Sequence, residues 1–198
     1  MNVAFPETAE PVRVRFATPM TDEELMRFCA ENELARIERD SNGELIIMSP
    51  TGFEGAGVEG DVYGELRDWA RQDGRGKAYG ANAGVTLPDG SVRAADASWV
   101  SWQRVNALTP RERKVFAPVC PEFVIEVRSE SDKLSDLQKK MQMWIRNGVE
   151  LAWLVDPSRK TVEVYRPGRE PEVLEGRSAV EGEGPVAGFV LELGKVWG

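Results

Sequence analysis

Residues 121–156 read PEFVIEVRSESDKLSDLQKKMQMWIRNGVELAWLVD, and this stretch decides the fold class. Its first segment, PEFVIEV, and its last, LAWLVD, are short and almost continuously apolar, which is typical of strands buried on both faces of a sheet. Residues 133–147 between them have apolar side chains at helical spacing and end before Gly148, a suitable left-handed C-cap. The stretch therefore predicts two interior strands of a sheet with a helix between them.

The sequence on either side extends this pattern. Asn42-Gly43 lies between two apolar segments and predicts a hairpin. Thr21 and Glu24 have the spacing of a capping box at the start of an earlier helix. A second helical pattern runs over residues 58–74, residues 77–80, 83–87 and 92–100 read as strands, and residues 102–119 read as an exposed connection. The tail reads as short strands separated by glycines.

This order of elements predicts one α/β domain over residues 20–198, after an extended arm over residues 1–19. The domain has a central mixed β-sheet flanked by helices, an N-terminal helix plus hairpin and extra C-terminal strands.

The composition excludes several kinds of chemistry. Histidine is absent from the 198 residues, which removes Ser-His-Asp and Cys-His nucleophile systems, histidine general bases and histidine-bound zinc. The formal net charge is −8, so a broad nucleic-acid-binding surface is not expected, although a confined basic patch is compatible with it. The N-terminal residues have no apolar signal-peptide core, and no apolar run approaches the roughly 18 residues of a membrane span. We expect a cytoplasmic protein with no membrane association.

Two carboxylates do not fit their surroundings. Glu126 lies inside the apolar run FVIEV, and Asp96 lies inside the predicted strand over residues 92–100. Burying an unpaired ionised carboxylate costs several kcal/mol or more, so such groups are usually paired, neutralised or bound to a cation. One interpretation is that each acid pairs with an arginine such as Arg93 or Arg128. The other is a site of hard oxygen ligands, suited to Mg²⁺ or Mn²⁺ rather than zinc.

The helix over residues 133–147 offers a cation for such a site. Lys140 lies about 80° from the centre of the apolar face on a helical wheel, whereas Lys139 points away from it. Lys140 can therefore lay its aliphatic stem along the core and reach inward with its ammonium group, or it is an ordinary flanking lysine. Gln138 borders the same face on the other side and is a weaker candidate.

Five motifs, in order and with matching spacing, resemble those of the Uma2 family of endonucleases in the PD-(D/E)XK superfamily. The motifs are SPTGFE at residues 49–54, RAADASWV at 93–100, CPEFVIEVRSESD at 120–132, KMQMW at 140–144 and WLVDP at 153–157. The resemblance covers the chain from about Met20 to the C-terminus. It implies a restriction-endonuclease-like core.

The resemblance also implies residue roles. Asp96 matches the aspartate of the PD element, Glu126 the acidic residue of the (D/E)XK element, and Glu54 the glutamate after the Pro-Thr-Gly turn. Lys140 matches a lysine on the helix after the second strand. Three positions depart from the pattern. Ala95 replaces the usual proline, Gly55 stands where many relatives have histidine, and Arg128 occupies the lysine position, where it can bind phosphate but is too large to replace a compact water-orienting ammonium.

These roles together imply hydrolysis of DNA phosphodiester bonds with Mg²⁺ or Mn²⁺. Asp96, Glu126, the Val127 carbonyl and Glu54, directly or through water, are the expected metal ligands, and Lys140 or Arg128 is expected to orient the attacking water or neutralise charge on phosphorus. Two groups of basic residues are expected to contact DNA weakly and salt-sensitively. They are Arg67, Arg71, Arg75 and Lys77, then Arg111, Arg113 and Lys114.

Two other interpretations stay open from the sequence. The chain is either a catalytically weak or inactive nuclease fold that acts in binding or assembly, which Arg128 and the acidic charge favour, or a metal-dependent enzyme acting on RNA or a nucleotide. A homodimer or higher homo-oligomer is expected, because many nucleases of this superfamily dimerise to cut both strands.

Overall fold

The computed structural model describes residues 11–197, and its elements are numbered here in chain order. The strands are β1 (Val12–Val14), β2 (Arg36–Arg39), β3 (Leu45–Met48), β4 (Gly76–Gly80), β5 (Val85–Thr86), β6 (Val92–Arg93), β7 (Ala97–Ser101), β8 (Phe123–Val127), β9 (Leu151–Asp156), β10 (Thr161–Tyr165), β11 (Glu172–Glu175), β12 (Ala179–Glu181) and β13 (Val190–Glu192). The α-helices are α1 (Asp22–Glu31), α2 (Phe53–Asp73), α3 (Trp102–Ala107), α4 (Leu134–Arg146) and α5 (Leu193–Val196).

A six-stranded sheet forms the centre of the molecule, in the order β11-β10-β9-β8-β7-β4. The β8 and β9 strands are parallel and are joined through α4, while their other neighbours pair antiparallel. This arrangement confirms the predicted mixed sheet flanked by helices. It arises because β8 and β9 are apolar on both faces and therefore need a covering layer on each side.

The strand β8 divides the core into two layers. Its odd-numbered residues, including Phe123 and Ile125, pack with the buried face of α2 and with the C-terminal strands. Its even-numbered Val124 packs on the other side with Met141 and Trp144 of α4. Because side chains alternate along a strand, Glu126 shares the α4 side with Val124.

A second sheet, in the order β1-β3-β2-β6-β5, lies toward the N-terminus. The predicted hairpin is confirmed, with β2 and β3 antiparallel and Gly43 in the left-handed region at φ 82°. The predicted capping box is also confirmed, since the Thr21 side chain accepts from the Glu24 N–H and the Glu24 side chain accepts from the Thr21 N–H. Of the predicted N-terminal arm, residues 12–14 form β1, and residues 1–10 lie outside the described part of the chain.

The prediction of one strand over residues 92–100 is wrong. The segment forms β6 in the N-terminal sheet and β7 in the central sheet, and residues 94–96 pass between them. The chain leaves the first sheet because the Ala94 N–H donates to the Glu38 carboxylate instead of to a neighbouring strand (3.2 Å). Asp96 therefore lies at the junction of the two sheets.

The predicted connection over residues 102–119 also contains short helices. The helix α3 begins after Ser101, whose hydroxyl accepts from the Arg104 N–H (3.3 Å), and a single 3₁₀ turn covers residues 112–114. Within residues 11–197, no helix has both the length and the apolar character needed to cross a bilayer.

Candidate active site

Asp96 and Glu126 lie opposite each other at one end of the central sheet. The antiparallel pairs Ala97–Ile125 and Ser98–Val124 fix the register of β7 and β8, and one further step places Asp96 across from Glu126. The Val127 N–H donates to Asp96 Oδ2 at 2.8 Å, which holds Asp96 beside this end of β8. Both side chains are buried, with 4% of Asp96 and 2% of Glu126 exposed.

Two side chains of α4 bind the Glu126 carboxylate. The Lys140 ammonium lies 2.9 Å from Oε1, and the Trp144 indole N–H donates to the same oxygen at 2.8 Å. Lys140 also donates to the Ala94 carbonyl oxygen (3.2 Å). Lys139 instead points to solvent and pairs with Asp136. Lys140 therefore contacts the Glu126 carboxylate from the side of α4 that the helical wheel predicts.

A third buried carboxylate, Glu38 of β2, shares the Lys140 ammonium. Its Oε1 lies 3.1 Å from Lys140 Nζ, and its Oε2 accepts from Arg93 Nη1 at 2.8 Å. Burial alone would raise the pKa of Glu38, but the charges and hydrogen bonds of Lys140 and Arg93 lower it to about 2. Glu38 is therefore an anion that holds the ammonium in place.

Glu126 differs from Glu38 because, among the ion pairs of residues 11–197, its direct cationic partner is Lys140, which it shares with Glu38. Burial raises the pKa of Glu126 to about 7; Lys140 opposes the rise, and the negative charges of Asp96 and Glu38 add to it. The pKa of Lys140 is itself raised, since the three surrounding carboxylates outweigh the effect of burial. The cluster thus holds a permanently charged ammonium and more carboxylate charge than that ammonium can neutralise.

Both oxygens of Asp96 have donors. Arg36 Nη2 donates to Oδ1 at 2.7 Å, and the Val127 N–H donates to Oδ2 at 2.8 Å. The other nitrogen of the guanidinium fork, Arg36 Nη1, lies 3.3 Å from the Thr51 hydroxyl oxygen and 3.5 Å from Glu59 Oε1. Burial and the charge of Asp96 raise the pKa of Glu59. The acid pair is therefore connected to the first turns of α2 through Arg36.

An open cleft of about 470 Å³ borders these residues. Its wall includes Arg36, Glu38, Glu59, Arg93 and Ala94. Glu38 and Glu59 thus line a space large enough for a substrate group to enter, whereas Asp96, Glu126 and Lys140 are not part of its wall.

The other predicted site residues lie at different distances from this cluster. Arg128 donates to the Asp156 carboxylate (2.7 Å) and to the Asp132 carbonyl oxygen (3.1 Å), so it braces the loop after β8. Glu54 is exposed in the first turn of α2, and none of the hydrogen bonds or ion pairs described above involves it. Gln138 donates to Glu163. Arg93 pairs with Glu38, so the partners of Asp96 and Glu126 are Arg36 and Lys140, and not the Arg93 and Arg128 that one of the two sequence interpretations named.

Comparison with known proteins adds the family to this geometry. The model of the Uma2 family, described as "Putative restriction endonuclease", matches residues 22–194. This chain belongs to the Uma2 family. The Uma2 chain is also similar to a crystal structure described as "a putative nuclease belonging to DUF820" from Anabaena variabilis, with a TM-score of 0.72 and 22% identity over 90% of this chain and 98% of that one. That likeness shows the shared fold, and the comparison with curated proteins gave no match.

Sequence reasoning missed three residues of this Uma2 site: Arg36, Glu38 and Glu59. Arg36 and Glu38 alternate with Ile37 along β2, so a polar strand face of opposite charges was the available signal. Glu59 precedes the buried residues Val62 and Leu66 at helical spacing, so it is a carboxylate in line with the apolar face of α2.

The donor set suits a hard divalent cation. Within residues 11–197, no three or more histidine, cysteine, aspartate or glutamate side chains form a group that would hold a metal by themselves. Mg²⁺, however, is usually held by one or two carboxylates, with waters and substrate phosphates completing the shell. Asp96 and Glu126 supply two carboxylates, and burial together with the neighbouring negative charges of Asp96 and Glu38 raises the pKa of Glu126, which a bound cation would oppose. The residues therefore fit Mg²⁺ or Mn²⁺.

Part of the predicted basic surface gathers around Tyr79 on the edge strand β4. Lys77 Nζ lies 5.2 Å from the Tyr79 ring centroid. Burial raises the pKa of Tyr79, and the nearby charge of Arg113 opposes this rise. Tyr79 pairs with Ser98, two residues from Asp96 along the neighbouring strand, and alternation places it on the same sheet face. Lys77 and Arg113 thus flank an aromatic ring on the acid-bearing face.

Acidic neighbours accompany three of the other five predicted basic residues. Arg67 pairs with Asp68, Arg75 pairs with Asp73, and Arg111 pairs with Glu23. These ion pairs reduce the positive charge available to phosphate.

Proposed function

We propose that this Uma2 chain is a divalent-metal-dependent endonuclease that hydrolyses phosphodiester bonds in DNA. The observation that carries the proposal is the convergence of Asp96 and Glu126 from neighbouring strands with the Lys140 ammonium between buried carboxylates. Membership of a family described as restriction endonucleases supports a nuclease activity.

Asp96 and Glu126 would hold Mg²⁺ or Mn²⁺, with the Val127 carbonyl as a further ligand and Glu54 contributing through water. When bound, such a cation polarises the scissile phosphate and lowers the pKa of a water that attacks phosphorus in line. The burial of both carboxylates keeps competing water away from their oxygens.

Lys140 would neutralise the negative charge that develops on the phosphoryl oxygens. It is suited to this task because its ammonium stays protonated and is held by Glu38, Glu126 and the Ala94 carbonyl. Trp144 fixes the Glu126 carboxylate by donating to Oε1. We assign the cationic role to Lys140 and not to Arg128, because Lys140 binds Glu126 directly, whereas the partners described for Arg128 are Asp156 and the Asp132 carbonyl oxygen.

DNA phosphates would contact the basic surface around Tyr79, with Lys77 and Arg113 as neighbouring charges. The net charge of −8 and the ion-paired arginines elsewhere favour weak, salt-sensitive binding. The proposal includes a cytoplasmic location and a homodimer or higher homo-oligomer that cuts both strands. Parallel assays on duplex DNA, single strands and RNA identify the substrate class.

Plasmid nicking in Mg²⁺ tests the proposed reaction. The wild-type chain is expected to convert supercoiled plasmid to open circles, and EDTA or the Asp96→Asn substitution is expected to stop it. Asp136→Asn is the matched control, because Asp136 is an exposed acid of α4 that pairs with Lys139. Nicking by Asp96→Asn at the wild-type rate would refute the proposal.

A binding or assembly protein without catalysis is the second candidate function. The observation that favours it is the occupation of Asp96 by Arg36 at 2.7 Å. A thermal melt with and without Mg²⁺ separates the two functions, because a ligand that binds only the folded state raises its stability. No change in Tm at millimolar Mg²⁺ supports the binding module, whereas a rise supports the metal-dependent enzyme.

A further inference from the structure

Arg36 stands where a cation would bind Asp96. Its Nη2 atom donates to Asp96 Oδ1 at 2.7 Å, and the second oxygen of Asp96 already accepts the Val127 N–H. A metal ion bound directly to Asp96 Oδ1 would lie beside the positive charge of the guanidinium, so the two cations compete for this oxygen. Loading of the site therefore favours movement of Arg36 away from Asp96.

Thr51 and Glu59 provide a second set of contacts for Arg36 when it leaves Asp96. Its Nη1 atom lies near the Thr51 hydroxyl and Glu59, which hold the guanidinium at the cleft wall independently of Asp96. Thr51 and Glu59 are hydrogen-bonded to each other at 2.9 Å, so this second anchor does not depend on Arg36. The Arg36 side chain is 28% exposed and lines the cleft, so its fork can reach a ligand there.

We propose that Arg36 occupies the cation position at Asp96 in the empty site and transfers to a DNA phosphate when a divalent ion binds, so that metal and DNA bind cooperatively. This inference rests on the proposed function. A planar guanidinium suits both partners, because it forms paired hydrogen bonds with carboxylate and with phosphate.

The coupling follows from the exchange of partners. Without DNA, the metal must displace a charge-assisted hydrogen bond from Asp96 and leave the guanidinium with fewer anionic contacts. A phosphate in the cleft restores those contacts and so strengthens metal binding. Linkage requires that the metal strengthen DNA binding by the same factor.

Calorimetric titration with Mn²⁺ in the absence of DNA tests the displacement. Arg36→Gln is expected to bind Mn²⁺ about tenfold to a hundredfold more tightly than the wild type, which corresponds to about 1.4–2.8 kcal/mol. Arg15→Gln is the control for net charge, since Arg15 is exposed and pairs with Glu44 outside the site. Its Mn²⁺ affinity is expected to stay within about twofold of wild type.

Binding of a labelled DNA duplex, measured in EDTA and in Ca²⁺, tests the coupling. Wild-type affinity is expected to rise with Ca²⁺, and Arg36→Gln is expected to lose most of that rise. Arg36→Lys guards against misfolding of the glutamine variant. A lysine keeps the charge but cannot contact Asp96 and the Thr51–Glu59 pair at once. The Mn²⁺ affinity of Arg36→Lys should therefore lie between those of the wild type and Arg36→Gln.

The outcomes separate the inference from the proposed function. Tighter Mn²⁺ binding by both Arg36 variants together with a lost Ca²⁺ effect on DNA supports the exchange. Wild-type Mn²⁺ affinity in both variants overturns it and leaves the endonuclease proposal intact. Absence of Mn²⁺ binding by every variant overturns both.

Discussion

Replacing Glu126 by glutamine should make the metal-free protein more stable at alkaline pH. The pKa of Glu126 is raised from 4.5 to about 7, so its ionised form is disfavoured in the folded state. One pKa unit corresponds to about 1.36 kcal/mol, and this rise therefore costs the folded state about 3 kcal/mol once Glu126 is ionised. Glutamine keeps an oxygen for Lys140 and Trp144 but carries no charge, so it removes this cost.

The effect has a defined pH window. A raised carboxyl pKa gives stability that is fully present below the unfolded pKa of 4.5 and is lost as the pH rises through about 7. Wild type and Glu126→Gln should therefore be equally stable near pH 4.5 and differ by about 3 kcal/mol above pH 8. For a chain of this size, that difference corresponds to a Tm higher by about 6–12 °C.

Glu38→Gln is the matched control because Glu38 binds the same ammonium and has the opposite shift. Its pKa is lowered to about 2, so neutralising it should cost about 3 kcal/mol at pH 8. Urea unfolding in EDTA from pH 4.5 to 9 measures both variants. A Glu126→Gln protein that is less stable than wild type at pH 8.5 would refute the raised pKa of Glu126.

Three further outcomes follow from the structure. Lys140→Ala should reduce plasmid nicking by at least about a hundredfold. Arg128→Gln should keep nicking within about threefold and instead lower the Tm, because Arg128 binds Asp156. Slower nicking by Arg128→Gln than by Lys140→Ala would contradict the assignment of the catalytic cation. Combined Lys77→Gln and Arg113→Gln substitutions should reduce the slope of log binding constant against log salt by about two, measured by fluorescence anisotropy, and an unchanged slope would exclude this surface from DNA contact. Thr21→Ala should lower the free energy of unfolding by about 1 kcal/mol in urea denaturation, because it removes the capping box of α1, and no loss would show that the cap is energetically silent.

The central sheet could be predicted because its signals are local. The runs FVIEV and LAWLVD are apolar beyond what a half-exposed strand needs, and the helix between them has one clear apolar face. Glu126 stands out against that background, and Lys140 follows from the helical wheel. Glu126 and Lys140 can therefore be identified from the few residues that surround each of them in the sequence.

The remainder of the site could not be predicted because it depends on contacts between distant segments. Arg36 meets Asp96 only because the N-terminal sheet packs against the central one, and nothing local indicates that contact. The break between β6 and β7 has the same origin, since it is the Glu38 carboxylate that draws the Ala94 N–H away from a strand partner. The alternation of polar residues along β2 can be recognised in the sequence. The sequence does not indicate which neighbouring element that polar face contacts.

The N-terminal sheet supplies Arg36 and Glu38, whereas the central sheet and α4 supply Asp96, Glu126 and Lys140. A shortened protein that starts at α2 would keep Asp96, Glu126 and Lys140 and yet lose the counterions that keep those residues in order. Its carboxylates would repel one another, and Lys140 would lose one of its two carboxylate partners. We therefore expect that the hairpin and the acid-bearing strands can be transferred between relatives of this chain only as one unit. Chimaeras that take them from different parents should lose the ordered site unless both partners of each ion pair come from the same parent.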